Sequence, residues 1–535
     1  MRVTNKMIMN NASSNINTTK ECVNTRNKQM TSQKKIDRPS DDPVIAVRSL
    51  RLSTTLAQVT QYHQKNIPDA TSWIEVTETS LINIRALLGD CKTLSNTGAN
   101  DTYNKDDRNT LITQMEALQK QLFAEGNADY ANRTVFTGYR TNNTLTFTED
   151  EKETTYKITQ RLSIEKDMEE HRYYDGTNAI PTTEDGILAP TLDPTDADYV
   201  KINDISQTNY YRMRLSYDKL DSIDKVTIIG SDASELTLTV ETFANETEWS
   251  EYEIAAADPA DDPIKAKGTK TVPDDSIYII RETGDIIMGK NAAATLKEKE
   301  AVFDVTYTKT GFDEGEIRPE YYHNCTKTAD PKNKVPVDYT KYTYDESTNN
   351  YKINRIYFDI EYTVAANQTM NINTEACDAF TNDIQRDLTE LIDAVKNQIA
   401  AHDKYDQLKK MKSETQYQSD TVQAELDIWI EALKKECDYF DDNIQKLFKT
   451  EIGKIDEYYA TISLSITDLG CKKDSLDLTG NRVGDQRETV QSLQSQNDDL
   501  DLSQIIIDYT AAYTAYQASL TAAGKLGDST LLNYL

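Results

Sequence analysis

The period of the hydrophobic positions changes twice along the chain. Near the N-terminus, apolar residues recur every three or four positions, which is the spacing of one face of a helix. Pro68 lies within the longest of these stripes, so we expect a kink or a split of the helix there. Seven of the eight stripe positions are apolar, which predicts a coiled-coil-like helix: Ile67, Ala70, Ile74, Thr77, Leu81, Ile84, Leu88 and Cys91. A second helix is predicted from Leu111, Met115, Leu118 and Leu122.

The middle of the chain alternates with a period of two, which is typical of strands. Residues 236–240 and 356–362 alternate apolar and polar side chains. Residues 276–280 and 286–288 flank a glycine-containing turn and predict a hairpin. Residues 139–371 are therefore predicted to form a β-rich insertion.

The helical period returns near residue 378 and continues toward the end of the chain. Gly470 is predicted to end one of these helices. The last helix is predicted from a stripe that we call the C-terminal stripe: Leu502, Ile506, Tyr509, Tyr513, Tyr516 and Leu520. A thin monomer cannot cover apolar stripes at both ends, so we expect neighbouring molecules to cover the C-terminal stripe as an assembly interface.

These periods predict an α+β fold. A long antiparallel coiled-coil-like helical core would come from both chain ends and carry the β-rich insertion. Five segments are expected: an N-terminal arm that is disordered until assembled (1–43), the N-terminal helical half of the core (44–138), the β-rich outer insertion (139–371), the C-terminal helical half of the core (372–494) and a C-terminal assembly helix (495–535).

Composition excludes several classes of partner and chemistry. The net charge of −30 repels nucleic acid and anionic lipid surfaces. The six Cys and four His lack zinc-ligand spacing, and no stretch is apolar enough to span a membrane. Dinucleotide, phosphate-loop and hydrolase motifs are absent from the sequence. We therefore predict no catalytic residues, no cofactor and no metal, and we expect the chain not to be an enzyme.

The ends of the chain resemble the flagellin family of bacterial axial proteins. The resemblance lies at residues 1–7, 135–139, 516–520 and 531–535. The run before the first long helix resembles the hallmark turn of the hook-associated junction members of that family: Arg38, Pro39, Ser40, Asp41, Asp42 and Pro43. Filament flagellins usually have a small, Ala-rich version of this turn, so the run favours a junction protein. Gln33 stands where the family usually has glycine.

The resemblance implies a structural subunit of the bacterial flagellum at the junction between hook and filament, where it would be a platform for filament growth. It implies secretion through the flagellar type III export apparatus without a cleavable signal peptide. The implied partners are the proximal hook-associated junction protein, flagellin, further copies in a helical ring and a cytoplasmic export chaperone. No nucleic acid and no membrane insertion are expected. The alternatives are a flagellin filament subunit, a surface adhesin whose β insertion binds a ligand and, last, an insertion with enzymatic activity.

Overall fold

The structure is a computed structural model. It describes residues 5–99, 105–175, 178–193, 196, 198–200, 202, 206–231, 234–250, 270–330, 335–345, 350–353 and 359–528. The chain forms two compact units. Unit 1 contains Met1–Thr71, Glu361–Asn371 and Lys472–Leu535, and unit 2 contains Ser72–Ile360 and Ile372–Cys471.

The long helices lie toward both ends of the chain. The helices are α1 (Asn5–Ser32), α2 (Pro43–Gln61), α3 (Ile67–Gly98), α4 (Lys105–Glu125), α5 (Ile164–Asp167), α6 (Glu184–Leu188), α7 (Lys290–Glu298), α8 (Ala376–Ala379), α9 (Asp383–Ser413), α10 (Asp420–Asp498) and α11 (Leu502–Asp528).

The strands lie between α4 and α8. They are β1 (Asp129–Tyr130), β2 (Arg133–Thr134), β3 (Glu151–Ser163), β4 (Glu169–Asp175), β5 (Ser206–Arg214), β6 (Ser222–Ile229), β7 (Thr239–Phe243), β8 (Ser276–Ile280), β9 (Asp285–Met288), β10 (Val302–Phe312), β11 (Asn324–Ala329), β12 (Val337–Tyr339), β13 (Tyr342–Asp345), β14 (Asn350–Ile353), β15 (Glu361–Ala365) and β16 (Gln368–Asn371). The fold class is α+β, as the sequence predicts.

Unit 1 is built from antiparallel helix pairs and one hairpin. Ser49 Oγ donates to Asp498 Oδ2 at 2.8 Å, and Gln494 Nε2 donates to Ser53 Oγ at 2.9 Å, so α2 and the end of α10 run in opposite directions. The β15–β16 hairpin packs beside a π-helical turn at Tyr62–Asn66, where Asn66 Nδ2 donates to the Thr363 carbonyl at 2.7 Å.

The π-helical turn explains how the chain accommodates Pro68. A proline has no backbone N–H and clashes with the preceding turn of a regular helix. The wider turn at 62–66 ends immediately before α3 and leaves Pro68 as the second residue of that helix. The predicted irregularity is therefore a π-helical turn, and helical structure continues on both sides of it. All eight positions of the predicted stripe are buried.

Unit 2 contains two five-stranded sheets with a shared apolar core. The first has the order β12-β11-β3-β10-β6 and is antiparallel throughout. The second has the order β4-β5-β9-β8-β7, with β7 and β8 parallel. Tyr156 and Phe303 of the first sheet and Ile277 and Ile286 of the second belong to the same buried cluster. The predicted hairpin is confirmed as β8–β9, where Gly284 has φ 71°.

Several local predictions were wrong. Gly470 does not end a helix, because it lies within α10, which has 79 residues in total. A side chain at this position would meet open space, since nothing lies within 4 Å of a Cβ placed there. The alternating segment 236–240 is a strand only from Thr239. Residues 354–358, which include the start of the alternating segment 356–362, lie outside the described residues. The same holds for residues 529–535, which include the resemblance at 531–535.

The N-terminal arm is helical, although the sequence predicts disorder until assembly. Its apolar positions are sparse, but α1 packs along α11 of the same chain. The division into five segments remains a prediction. Most of the β-rich segment shares unit 2 with α4 and α9, and the β15–β16 hairpin belongs to unit 1. No described helix has both the length and the apolar character needed to cross a membrane.

Candidate assembly interface

Two helix breaks lie opposite each other in unit 1. α1 ends at Ser32, and Gln33 follows with a left-handed backbone at φ 58°. Leu500 N donates to the Gln33 carbonyl at 2.9 Å, and Lys35 N donates to the Asp498 carbonyl at 2.8 Å. Lys34 also pairs with Asp499. The breaks between α1 and α2 and between α10 and α11 are therefore joined by backbone hydrogen bonds.

The hallmark run forms the turn that starts α2. Asp41 Oδ2 accepts from Arg38 N at 2.9 Å and closes the turn. Asp42 Oδ1 accepts from Val44 N at 2.9 Å and from Ile45 N at 3.2 Å, and Pro43 occupies the first helical position. An N-cap of this kind satisfies amides that have no partner within the helix. The predicted helix start is confirmed.

The C-terminal stripe lies mostly away from α1. Leu502, Ile506, Tyr513 and Leu520 are exposed, while Tyr509 and Tyr516 are half-buried. The Tyr509 and Tyr513 rings stack with centroids 6.2 Å apart. This face is available to a second molecule, and its role as an assembly interface remains a prediction.

A different face of α11 packs on α1. Thr19 Oγ1 and Ser519 Oγ are 3.0 Å apart, and Arg26 Nη1 lies 3.8 Å from Asp508 Oδ2, so the two helices are antiparallel. Ile505 is 1% exposed. The half-buried positions on this side of α11 are Ala512, Tyr516 of the C-terminal stripe and Ser519. Ala512 and Ser519 are small and do not stand out as an apolar stripe.

Sequence reasoning missed an exposed face on α2, which we call the α2 ridge: Val44, Val47, Arg48, Leu50 and Arg51. Val44 is 77% exposed and Leu50 is 71% exposed. Spacings of three and four residues place Val44, Val47, Arg48 and Arg51 on one side of α2, which is the sequence signal for this face. Their exposure matters because an outer face of an isolated helix pair is normally polar.

Unit 2 contains a buried cluster of charged groups. Asp387, Glu390 and Glu451 have carboxylate oxygens within 4.8 Å of one another, which is a spacing that could suit a metal ion. Arg212 Nη2 donates to Glu390 Oε2 at 2.9 Å, and Lys454 Nζ donates to Asp387 Oδ1 at 3.2 Å. Arg212 and Lys454 thus pair with carboxylates of the cluster, which forms an ion-paired contact between sheet and helices.

The pKa values within this cluster diverge. Burial alone would raise the pKa of Glu390, but Arg212 and Arg214 outweigh burial and hold that pKa well below its usual range. Burial, together with Asp387, raises the pKa of Glu451 to about 8. Glu451 therefore takes up a proton near neutral pH, whereas Glu390 stays ionised.

Charge is distributed very unevenly between the two units. Unit 1 contains 16 basic and 15 acidic residues, whereas unit 2 contains 43 basic and 74 acidic residues. Close packing of several copies through unit 1 therefore meets little charge repulsion, whereas packing through unit 2 would meet a great deal.

Comparison with known families gives a match at the N-terminal end. Residues 3–141 match the family model described as the bacterial flagellin N-terminal helical region. This range includes the hallmark run, the α2 ridge and the buried stripe of α3.

Two curated relatives are flagellar hook-associated protein 3 of Escherichia coli and of Salmonella typhimurium. The first is 32% identical over 123 residues, which are 23% of this chain and 38% of the relative. The second is 28% identical over 142 residues, which are 26% of this chain and 44% of the relative. The chain thus spans less than half the length of the curated relatives it matches.

Among solved structures, flagellar hook-associated protein 3 from Legionella pneumophila aligns at 10% identity with a TM-score of 0.29. The alignment covers 83% of this chain and 97% of that one. A score of this size does not establish a common fold. Residues 3–141 of the chain are thus similar to the bacterial flagellin N-terminal helical region, and part of the chain is similar in sequence to flagellar hook-associated protein 3.

Proposed function

We propose that this chain is a structural subunit of the bacterial flagellum that forms the junction between hook and filament and serves as a platform for filament growth. The observation that carries the proposal is the flagellin N-terminal region at residues 3–141, which includes the capped turn at 38–43. Both curated relatives are named as hook-associated proteins and neither as flagellin, which favours the junction over the filament.

The surface of unit 1 supports an assembly role. The α2 ridge and the C-terminal stripe expose large apolar side chains on a unit that is nearly neutral overall. An isolated protein gains nothing from these exposed groups, whereas neighbours in a tube would bury them. The partners of this surface are further copies in a helical ring, the proximal hook-associated junction protein and flagellin.

Export belongs to the same proposal. A subunit at the tip of the hook must leave the cell, and the proposed route is the flagellar type III export apparatus. A cytoplasmic chaperone would cover the apolar C-terminal helix before export. The protein acts by position and contact, and we assign no catalytic role to the ion-paired cluster of unit 2.

The alternatives are weaker on specific grounds. A filament subunit is expected to match relatives that are named flagellin. A surface adhesin would need a ligand-binding site on the β-rich part, and the family match at residues 3–141 lies almost wholly outside that part.

Deletion of the gene tests the proposal. We expect hooks without filaments, with flagellin released into the medium, and restoration of filaments by the full-length chain. Cells that grow normal filaments after deletion would contradict the proposal.

A further inference from the structure

The α2 ridge has a positive charge that the chain itself does not balance. Arg48 and Arg51 are exposed and form no ion pair within the described part of the chain. They flank Val44, Val47 and Leu50, which are among the most exposed apolar residues of the protein. A partner for this ridge should therefore offer carboxylates around an apolar side chain.

Such a face exists on α10, and we call it the α10 acidic face: Asp474, Asp477, Leu478, Asp485 and Glu488. These positions lie on the outer side of the helix, opposite the buried Leu476 and Val483. Leu478 is 72% exposed. Across the described residues, none of the four carboxylates forms an ion pair. The nearby Arg482 donates a hydrogen bond from Nη2 to Gln368 Oε1 at 2.5 Å.

The ridge and the acidic face cannot meet within one chain. Both belong to unit 1, and α2 packs against α10 through other residues, with Ser49 beside Asp498. Asn481, at the middle of the acidic face, is 17 residues before Asp498. At about 1.5 Å per residue, the two faces are displaced by roughly 25 Å along the helix pair.

We infer that the α2 ridge of one copy docks on the α10 acidic face of a second copy. Two arginines then meet carboxylates, and the exposed aliphatic side chains of both faces are buried together. Because the two patches differ and lie at different levels, the contact is staggered and heterologous. A contact of this type repeats from copy to copy and generates rings or helical assemblies rather than closed dimers. This inference rests on the proposed function and adds the pair of surfaces through which copies meet.

Charge reversal tests the pairing. The full-length variants are Arg48→Glu/Arg51→Glu, Asp485→Lys/Glu488→Lys and the combination of all four substitutions. Each replaces exposed side chains, and thermal melts check that the fold is retained. The matched control is Lys20→Glu/Lys28→Glu, which reverses two exposed charges on α1. The readout is the fraction of exported protein that is incorporated into flagella.

We expect each two-residue reversal to lower the incorporated fraction about ten-fold or more, and the four-residue variant to return to within about two-fold of wild type. The α1 control should remain at the wild-type level. Wild-type incorporation of either two-residue variant, or failure of the four-residue variant to recover, would overturn the inference and leave the proposed function standing. Absence of the wild-type protein from flagella would overturn both.

Discussion

Gln33 illustrates how one residue can be held in a conformation that suits another amino acid. Its left-handed backbone follows the last turn of α1, and its carbonyl accepts the hydrogen bond from Leu500 that joins the two helix breaks. A side chain in this conformation costs about 1 kcal/mol, and glycine avoids that cost. The resemblance to the flagellin family leads to an expectation of glycine at this position, and a left-handed backbone is the conformation that glycine favours.

Gln33→Gly should therefore stabilise the joined breaks. We expect an increase of about 0.5–1 kcal/mol in the free energy of local opening, because less strain remains in the folded state. Amide hydrogen exchange in α1 should slow accordingly. Lys28→Gly, an exposed position within the same helix, is the matched control and should speed exchange. Faster exchange in both variants would show that the strain at Gln33 has been misassigned.

Glu451 makes the stability of unit 2 depend on pH. Its pKa rises from 4.5 to about 8 on folding, so the folded state holds the proton more tightly than the unfolded state does. The resulting stabilisation is present below pH 4.5 and is lost as the pH rises toward 8. Glu169 gives the opposite dependence of stability on pH. Its pKa is lowered to about 2, because the effect of burial is outweighed by Arg212 and Lys454. That contribution is lost as the pH falls below 4.5.

Glu451→Gln should remove the loss of folding stability at alkaline pH. We expect the variant to be more stable than wild type at pH 9 by on the order of 1–3 kcal/mol, and to differ little at pH 5. Denaturant unfolding at the two pH values measures this. Glu457→Gln, an exposed residue on the same helix, is the control and should change neither value. Equal effects of Glu451→Gln at both pH values would contradict the assignment.

At the scale of elements, periodicity predicted those helices and strands whose position depends on the spacing of apolar residues along a single segment. The α3 stripe, the α2 start and the β8–β9 hairpin depend on local spacing and capping, and all three are confirmed. Gly470 was misread because a single glycine costs only about 1 kcal/mol in a helix, and packing along α10 outweighs it. The charge cluster around Glu390 was invisible because its members come from strands and helices far apart in sequence.

The C-terminal stripe was predicted from large apolar residues alone. The helix has a second, less obvious face, in which small residues such as Ala512 and Ser519 let α1 approach. Four of the six stripe residues are exposed, while Tyr509 and Tyr516 are half-buried, so sequence periodicity did not identify the side that packs within the chain.

Leu520→Asp and Ile505→Asp separate these two faces. Leu520 is 43% exposed and Ile505 is 1% exposed. We expect Leu520→Asp to abolish incorporation into flagella with little change in monomer melting, because a charge must then be buried in every copy of the assembly. Ile505→Asp should instead lower monomer stability by about 2–4 kcal/mol. Thermal melts measure monomer stability, and the fraction of protein secreted into the medium measures failed incorporation. A large loss of monomer stability in Leu520→Asp would assign the stripe to the chain's own core.

At the scale of the whole molecule, the division of charge is the feature that connects structure with assembly. All of the net negative charge belongs to unit 2, while unit 1 combines near neutrality with exposed apolar faces. Copies that met through unit 2 would repel one another, and copies that meet through unit 1 do not. The exposed carboxylates of unit 2 keep that part hydrated and free of unwanted association.

The most direct test of the account is the location of the protein on intact cells. Immunogold labelling of the wild-type chain, with antibodies against unit 2, should give one short band at the distal end of the hook, where the filament begins. The deletion strain provides the control for antibody specificity. Label along the whole filament would identify a filament subunit, and label scattered over the cell surface would identify an adhesin. Either of these patterns would contradict the account.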